Sequence, residues 1–335
     1  MSALSEETNS CKRMSRYKRR VFDKPLCFTP RDFTILHTLY KYHLLTTHQI
    51  VAIHQGSEQK TRWRLRELFD AGLLERFHTK TDMTVPGSEP VVYALTDRGA
   101  DWLSTHRPDI ERQHTRYNER NTRRTLSTIP HTLMVAEIML RFELSAYFHP
   151  ADAAFIPQQV MLAHAPEVTR NRRSPTHWNN SVFIKGEKFI IGNNPDQIFG
   201  VVDKQRPKGR NTLYFFLEAD RATETVRPTT THLDKSTIYK KMVGYYQTHL
   251  QKVHHGVFGD WMRNFRVLWV IDSQGKARDG KTRLDNFLEV ATEVTGGAIP
   301  DLFLFTTTEA LKAGGGSALT HTWVNAKGEG RQILS

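Results

Sequence analysis

The acidic residues of one strand-like segment are the first feature of this chain that could do chemistry. In "FFLEAD" (215–220), Glu218 and Asp220 follow a run of Phe and Leu. Carboxylates are costly in a buried strand unless a proton, a cation or a metal compensates them. Because alternate residues of a strand share a face, Glu218 and Asp220 lie on one face, and both faces are otherwise apolar. This pattern predicts a central strand rather than an exposed edge.

A third carboxylate, Asp196, stands upstream in "NPDQIFGVV", at the predicted start of another strand that follows a turn at 192–194. Oxygen ligands that converge at strand ends suit Mg²⁺ or Mn²⁺. We therefore predict that Asp196, Glu218 and Asp220 form a divalent-metal site.

A fourth carboxylate lies in the strongest predicted helix of the chain, "IPHTLMVAEIMLRFELSAYF" (129–148). Helical spacing places Glu137 in the middle of a stripe formed by Leu133, Leu140 and Leu144. A carboxylate in that stripe either faces a catalytic cleft or forms a buried salt bridge with an arginine.

The helix predicted in "STIYKKMVGYYQTHL" (236–250) carries a candidate cation. Lys241 flanks the predicted inner face next to Tyr245, whereas Lys240 points outward. Lys241 could therefore place a positive charge next to the carboxylates of the site. The alternative is that its side chain is solvated. Tyr245 and Tyr246 could instead attack DNA, as in tyrosine-dependent nickases. The His-hydrophobe-His triplet that such enzymes use for metal binding is missing from the sequence, so core packing is the default interpretation.

The pattern of the first hundred residues predicts a separate DNA-binding unit, which would place such a site on nucleic acid. Three short helices, with caps at Thr29, Thr46 and Ser57, precede the strand-like segments "LLERFHT" and "VVYALT", which flank a turn-rich loop at 80–90. This order is typical of a winged helix-turn-helix, whose basic third helix enters the major groove. The alternative is a protein-interaction module with a solvated basic helix. The predicted DNA-binding residues on the outer side of the third helix are Gln59, Lys60, Trp63, Arg64 and Arg66.

The charge of the chain agrees with a nucleic-acid partner. Its 335 residues carry a formal net charge of +12, and the isoelectric point is about 9.7, both of which favour a polyanion. The two cysteines, Cys11 and Cys27, do not have the spacing of a metal site and favour a reducing, cytoplasmic compartment. We find no secretory signal and no apolar run long enough for a membrane helix.

The Pro-Asp turn, the acidic strand and the helix after it resemble the core of PD-(D/E)xK nucleases. That resemblance implies acidic residues that hold one or two divalent metals and a lysine that assists the attacking water. Asp220 stands where the lysine of the motif is expected. Lys241 on the following helix would replace that lysine, a variation known in the superfamily.

The order of the motifs also resembles the replication-relaxation family, which includes plasmid mobilisation relaxases of the MOB-C class. This resemblance covers most of residues 30–307 and implies a winged helix joined to a nuclease-like domain. It implies a single-strand cut at a plasmid or mobile-element origin, with a specific double-stranded DNA site and other mobilisation or replication proteins as partners. The site would consist of Glu137, Asp196, Glu218, Asp220 and Lys241. The matching stretches are "RLRELFDAGLLERF", "YALTDRGADWL", "IPHTLMVAEIML", "NPDQIFGVV", "FFLEADRATETV", "YKKMVGYY", "RVLWVI" and "PDLFLFTT".

The sequence as a whole predicts an α/β (α+β) protein that is a metal-dependent DNA nickase or endonuclease. A catalytically inactive, sequence-specific DNA-binding factor for plasmid replication, transfer or transcription is the main alternative, and a toxin or defence nuclease is a weaker one. Residues 163–187, which are polar and rich in Pro and Asn, are predicted to be an insertion or a long loop. The predicted organisation is a basic flexible arm (1–24), a winged helix (25–106), a charged linker (107–125), a restriction-endonuclease-like mixed-sheet domain (126–310) and a flexible tail (311–335).

Overall fold

The computed structural model describes residues 15–22, 25–54, 56–78, 90–108, 110, 116–124, 127–149, 152–184, 187–228, 236–272, 280–314 and 317–334. The chain divides into two compact units, Met1–Pro130 and His131–Ser335. Helices and a mixed sheet together confirm the predicted α+β class. Within these ranges no helix is both long and apolar enough to cross a membrane. Nearly all of the predicted turn-rich loop at 80–90 lies outside the described residues.

The N-terminal unit combines short helices with a small antiparallel sheet of strand order β1-β3-β2. Its helices are α1 Pro30–Tyr42, α2 Thr47–His54, α3 Glu58–Asp70, α4 Asp97–His106 and α5 Tyr117–Thr122, and its strands are β1 Leu45–Thr46, β2 Leu74–Phe77 and β3 Val92–Leu95.

The first three helices begin where the capping patterns predict. Thr29 and Asp32 form a capping box at α1. Thr46 and Gln49 exchange side-chain-to-backbone hydrogen bonds at the start of α2. The Ser57 side chain accepts a hydrogen bond from a backbone N–H of the first turn of α3. Each cap satisfies N–H groups that the helix itself leaves without partners, so these short helices have defined starts.

Part of the predicted flexible arm packs against α3 instead of extending into solvent. The Arg66 guanidinium donates hydrogen bonds to the backbone carbonyls of Arg16 and Lys18. Arg19 forms an ion pair with Glu75 at 2.8 Å. Basic residues of this segment therefore contact the protein's own carboxylates, and residues 1–14 lie outside the described part of the chain.

The predicted charged linker likewise belongs to the N-terminal unit. Its helix α5 buries Tyr117 completely. The Asn121 amide donates a hydrogen bond of 2.9 Å to the backbone carbonyl of Leu95 at the end of β3. The sequence of this segment lacks an apolar stripe, but Tyr117, Asn121 and backbone hydrogen bonds to the Asp97 carboxylate attach it.

The C-terminal unit is built on a mixed sheet with helices between its strands. Its helices are α6 Thr128–Tyr147, which begins at the unit boundary, α7 Gln158–Ala163, α8 Glu167–Arg170, α9 Ile238–Leu250, α10 Val253–Phe258, α11 Arg283–Thr295, a 3₁₀ turn Pro300–Leu302 and α12 Thr308–Ala313. Its strands are β4 Ala153–Ile156, β5 Trp178–Ile184, β6 Glu187–Asn193, β7 Gln197–Asp203, β8 Thr212–Asp220, β9 Arg266–Ile271, β10 Phe303–Thr307, β11 Trp323–Asn325 and β12 Gly330–Arg331.

The strand order of the large sheet is β12-β11-β10-β9-β8-β7-β4. Strands β8, β9 and β10 are parallel, and the remaining pairs are antiparallel. β8 therefore lies inside the sheet between β7 and β9, which confirms the predicted central strand. Because β7 runs antiparallel to β8, the start of β7 and the carboxyl end of β8 meet at the same edge of the sheet.

Helices α9 and α11 pack on one face of this sheet. Met242 of α9 and Phe287 of α11 join Phe216 of β8 and Trp269 of β9 in one buried cluster. These side chains are almost completely removed from water, so the two helices are fixed relative to the strand that carries Glu218.

The hairpin formed by β5 and β6 covers the outer side of α9. The predicted insertion or long loop at 163–187 is therefore wrong as a loop, since it contains α8 and all of β5. The Asn180 amide donates a hydrogen bond of 3.1 Å to the Gly244 carbonyl. A Cβ at Gly244 would lie 2.1 Å from the Asn193 Oδ1, so only glycine permits this close approach of helix and hairpin.

The predicted flexible tail is also wrong, because it extends the large sheet. Strand β11 pairs antiparallel with β10, and β12 pairs with β11. Trp323 is fully buried, with its ring 6.0 Å from that of Phe142 in α6. The Gly-rich stretch suggested flexibility, but the apolar residues beyond it belong to the core.

Candidate functional site

Two of the predicted carboxylates meet at the edge where β7 starts and β8 ends. In this antiparallel pair Gln197 lies opposite Leu217, so Asp196 falls beside Glu218. The backbone N–H of Ala219 donates a hydrogen bond of 2.8 Å to the Asp196 Oδ2. The strand register alone therefore brings together two residues that are 22 positions apart.

Helix α9 supplies the partners of Glu218. The Lys241 Nζ lies 3.1 Å from the Glu218 Oε2, and the Tyr245 hydroxyl donates a 2.5 Å hydrogen bond to the Glu218 Oε1. Lys241 and Tyr245 are four residues apart and so lie on the same side of the helix. Ile238 and Met242 are fully buried, which confirms the predicted inner face of α9. Tyr245 is only 1% exposed, an environment of core packing rather than of an accessible nucleophile.

Burial determines the electrostatics of this group. Burial raises the pKa of Glu218 to about 7, although Lys241 opposes the shift. Burial lowers the pKa of Lys241, but the carboxylates of Glu218 and Glu224 outweigh it and the net shift is upward. Burial and the Glu218 carboxylate raise the pKa of Tyr245 well above its ordinary value. Near neutral pH, Lys241 is therefore a cation, Tyr245 is a hydrogen-bond donor, and Glu218 is the group that titrates.

This pKa shift predicts that Glu218 makes folding stability depend on pH. Its pKa in the folded protein is about 7, above the ordinary value of 4.5. The folded state therefore binds the extra proton, so the stabilisation is present at low pH and is lost as the pH rises through about 7. In EDTA, the free energy of unfolding from urea titrations should fall between pH 5.5 and pH 8 by about 2 kcal/mol more for the wild type than for Glu218→Gln. Equal falls for the two proteins would contradict the assignment.

Asp220 has a different environment from Glu218 on the same strand. The Arg283 guanidinium at the start of α11 contacts both carboxylate oxygens, at 2.5 and 2.8 Å. Asp220 is 3% and Arg283 16% exposed at the side chain. Because the Arg283 guanidinium pairs with Asp220 through two parallel hydrogen bonds and neutralises its charge, the arrangement favours a structural role for Asp220 over the predicted metal-binding role. Both oxygens of Glu218 also have donors, but these come from two separate side chains, and the Lys241 ammonium is shared with Glu224.

Arg283 and Glu224 are functional candidates that the sequence analysis missed. Arg283 also donates a 2.7 Å hydrogen bond to the Glu224 carbonyl, and the Glu224 carboxylate lies 2.9 Å from the Lys241 Nζ. Lys241 is thus shared between Glu218 and Glu224. No local pattern indicates Arg283, which is 63 residues from Asp220. Glu224 does lie in the quoted motif "FFLEADRATETV", four residues after Asp220.

His131 is a further residue that the sequence analysis did not single out. Its Nε2 lies 3.3 Å from the Asp196 Oδ2 and 3.1 Å from the Ala219 carbonyl oxygen. The hydrogen bond to Asp196 raises the pKa of His131, although burial opposes it. His131 lies in the first turns of α6 within the motif "IPHTLMVAEIML", which was the available signal.

The structure does not bring Glu137 to this cluster. It forms an ion pair of 3.0 Å with Arg141, one turn further along α6. Glu137 is six residues from His131, so it lies about 9 Å further along the helix and on another side of it. Of the predicted stripe, Leu140 is buried, whereas Leu133 and Leu144 are half-buried. The other buried side chains of α6 are Ile129, Val135, Ala136, Ile138, Met139, Phe142, Ser145 and Ala146.

The donor set fits a hard divalent cation that takes most of its ligands from water and substrate. Within the described residues, no group of three His, Cys, Asp or Glu side chains could hold a metal ion by itself. Mg²⁺ is commonly held by one or two carboxylates together with substrate phosphates. Asp196 and Glu218 meet that requirement, with the Asp196 side chain 22% exposed.

The third helix of the N-terminal unit presents only part of the predicted DNA-binding surface. Gln59 and Lys60 are exposed, and Trp63 is 73% exposed. Arg64 binds both carboxylate oxygens of Asp32 at 2.7 Å.

Arg66 is held by a single ion pair of 2.7 Å with Asp70, one turn further along α3, and by hydrogen bonds to the backbone carbonyls of Arg16 and Lys18. The hydrogen bond to Asp32 raises the pKa of Arg64. The prediction that Arg64 and Arg66 point outward from α3 is therefore wrong, because their long side chains bend along the helix surface towards buried carboxylates.

In a comparison with protein-family models, one model matches residues of both units. The model described as replication-relaxation matches residues 36–260, which is more than half of the chain. The matched range includes α3, Asp196, Glu218 and Lys241. A search of the curated proteins found no match.

Proposed function

We propose, because the chain belongs to the replication-relaxation family, that it is a site-specific, metal-dependent DNA nickase or endonuclease. Membership in this family supports a role in plasmid replication or mobilisation. The proposed substrate is double-stranded DNA at a plasmid or mobile-element origin.

The observation that carries the proposal is the buried Glu218 beside Asp196, with a cation at 3.1 Å. Glu218 is 3% exposed, burial raises its pKa to about 7, and a second carboxylate, Asp196, lies beside it. Perturbed carboxyl groups beside charged partners are typical of catalytic sites. The pair lies at the carboxyl end of β8, where residues of neighbouring strands converge.

Each residue of the group has a definite part in this proposal. A divalent cation held by Asp196 and Glu218 would supply Lewis-acid polarisation of the phosphate and a more acidic water. Lys241 offers an ammonium group to the negative charge that develops on the phosphate. Tyr245 fixes the orientation of the Glu218 carboxylate through its hydroxyl. Glu224 keeps Lys241 in place from its other side.

The proposed DNA-reading surface consists of Gln59, Lys60 and Trp63 on α3. We expect Trp63→Ala to weaken binding to origin duplex roughly fivefold or more, because covering an exposed indole at the protein–DNA contact contributes on the order of 1 kcal/mol or more. Since Trp63 is 73% exposed, the melting temperature should not change. Fluorescence anisotropy with a labelled duplex measures the affinity.

Arg64→Ala is the matched comparison for Trp63→Ala. It should mainly lower the melting temperature, because it leaves the buried Asp32 without its bidentate partner. A Trp63→Ala protein that binds origin duplex as well as the wild type would contradict the proposed surface.

The experiment that tests the function is plasmid cleavage. The purified protein is incubated with supercoiled plasmid that carries its own element's origin region, in Mg²⁺, in Mn²⁺ and in EDTA. Metal-dependent open circles confined to that origin would support a nickase, and linear product would indicate a double-strand endonuclease. Protease treatment of the product tests for a covalent tyrosine adduct, which the burial of Tyr245 argues against.

A second function, an inactive sequence-specific DNA-binding factor, is favoured by one observation. Asp220 occupies the expected lysine position and is bound by Arg283, so the motif is altered there. Gel-shifted but uncut DNA under every metal condition would support this alternative. A binding-only protein should also show little thermal shift with Mn²⁺, whereas the proposed site should be stabilised by it.

A further inference from the structure

A second concave site lies in the C-terminal unit, and no residue of the carboxylate cluster lines it. A cavity of about 620 Å³ lies between the segment that leads into β5 and helix α10. This volume is within the range of pockets that bind small organic groups. We call it the arginine-rimmed pocket; its lining includes Arg172, Arg173, His177, Trp178, Val253 and Val257.

The floor of the arginine-rimmed pocket is apolar and held in place. Trp178 is 3% and Val257 5% exposed, so each presents only a small part of its side chain to the pocket. The Trp178 indole N–H donates a hydrogen bond of 2.8 Å to the Thr248 hydroxyl, which fixes the ring. His177 lies over Gly192, where a Cβ would come within 2.9 Å of the imidazole Nε2. Because Gly192 has no side chain, the His177 ring can lie in this position beside the pocket.

The rim of the pocket carries two cations without counter-charges. Arg172 and Arg173 are exposed, and among the described residues no ion pair or side-chain hydrogen bond engages either guanidinium. Other arginines of the same unit do have carboxylate partners, such as Arg141 with Glu137. Two unpaired guanidinium groups above an apolar floor match a ligand that has a phosphate and a flat apolar ring.

We propose that the arginine-rimmed pocket receives an unpaired nucleotide of a single DNA strand, with its phosphates at Arg172 and Arg173 and its base on the apolar floor. A base that is stacked inside a duplex cannot enter a cavity, so the ligand is single-stranded. The inference rests on the proposed function, since a nicked or opened origin supplies such a strand.

The position of the pocket fits a strand that also reaches the carboxylates. Lys241 lies in the first turn of α9, and α10, which lines the pocket, follows the other end of that helix. The nine residues from Lys241 to Leu250 correspond to about 14 Å along the helix axis. A strand of roughly four nucleotides or fewer spans that distance, since the rise of about 3.4 Å per nucleotide in a duplex is smaller than that of an extended single strand. A strand bound at Glu218 can therefore extend to the pocket.

Fluorescence anisotropy in EDTA tests the inference with a labelled single-stranded oligonucleotide of the origin sequence. We expect Arg172→Ala/Arg173→Ala to weaken binding roughly tenfold and to reduce the slope of log K against log salt by about 1.4, which corresponds to two phosphate contacts. The matched control is Lys208→Ala/Arg210→Ala, which removes two exposed positive charges from the turn between β7 and β8. The control should change the affinity less than about twofold, because diffuse charge alone has a small effect at moderate salt.

Three results would overturn the inference. One is equal weakening by both double variants, which would indicate non-specific charge. Another is wild-type affinity of the Arg172→Ala/Arg173→Ala protein for the strand. The third is tight, arginine-dependent binding of thymidine monophosphate in calorimetry without any effect of the variant on the strand, which would identify a site for free nucleotides.

Plasmid cleavage, measured separately on the same proteins, distinguishes the two proposals. Arginine-dependent strand binding by a protein that cuts nothing overturns the nuclease and leaves the pocket assignment standing. If the wild type cuts the origin and the Arg172→Ala/Arg173→Ala protein binds the strand as well as the wild type, the pocket assignment is overturned and the nuclease proposal stands.

Discussion

Glu218→Gln should abolish DNA cutting and leave DNA binding intact. The substitution keeps the shape of the side chain and an oxygen that can accept the Tyr245 hydroxyl, while Lys241 retains Glu224 as its partner. What it removes is the negative charge beside Asp196. We expect the rate of origin cutting to fall roughly a thousandfold, because the neutral amide would hold the divalent cation that polarises the phosphate much more weakly than the carboxylate does. Cutting is measured by the appearance of open circles, and binding by anisotropy with the origin duplex.

Glu137→Gln is the matched control, since it changes the same kind of residue in the same unit. The sequence placed Glu137 in the site, whereas the structure pairs it with Arg141. We expect this variant to cut at close to the wild-type rate. If Glu218→Gln loses binding together with cutting, the proposed division of labour between the units is wrong. If Glu137→Gln is as inactive as Glu218→Gln, the site extends to α6.

The second large effect should be on stability. Arg283→Met leaves the Asp220 carboxylate, which is 3% exposed, without the cation that binds both of its oxygens. Removing one partner of a buried ion pair typically costs about 3–5 kcal/mol. We expect a decrease of that size in the free energy of unfolding from urea titrations at constant pH.

The Asp220→Asn/Arg283→Met double variant should recover much of the stability lost by Arg283→Met, because no unpaired carboxylate then remains. Asp220→Asn by itself also tests the metal assignment. If Asp220 is structural, this variant should keep its metal-dependent cutting within about tenfold of the wild type. A folded Asp220→Asn protein that does not cut in any Mg²⁺ or Mn²⁺ concentration would restore Asp220 as a ligand.

Local patterns in the sequence were sufficient for much of the architecture. The caps at Thr29 and Ser57 determine where helices begin, and they involve residues only three positions apart. The two apolar faces of "TLYFFLEAD" predicted a central strand, which β8 is. The periodicity of α9 also placed Lys241 beside its inner face, and the structure brings its Nζ to 3.1 Å from Glu218.

Contacts between residues far apart in the sequence were not predicted from local patterns. Helical-wheel geometry gives the direction of a Cβ but not the path of a long side chain, so Arg64 was predicted to point to solvent although it reaches Asp32 in another helix. Asp220 and Arg283 are 63 residues apart, and no periodicity connects them. In the same way, the Gly-rich stretch near 314 led to the prediction of a flexible tail, although Trp323 beyond it is buried. The family, by contrast, was predicted correctly from the order of short motifs.

The pairing of β11 with β10 has a consequence for how the protein is made. A ribosome releases β8, β9 and β10 before residues 323–325, so the outer edge of β10 stays uncovered while the chain is still being synthesised. Uncovered strand edges pair readily with other chains. The N-terminal unit needs none of these residues and can fold earlier on the ribosome. We therefore expect a nascent chain that acquires its α3 surface first and completes the sheet beneath Glu218 only after Trp323 has emerged.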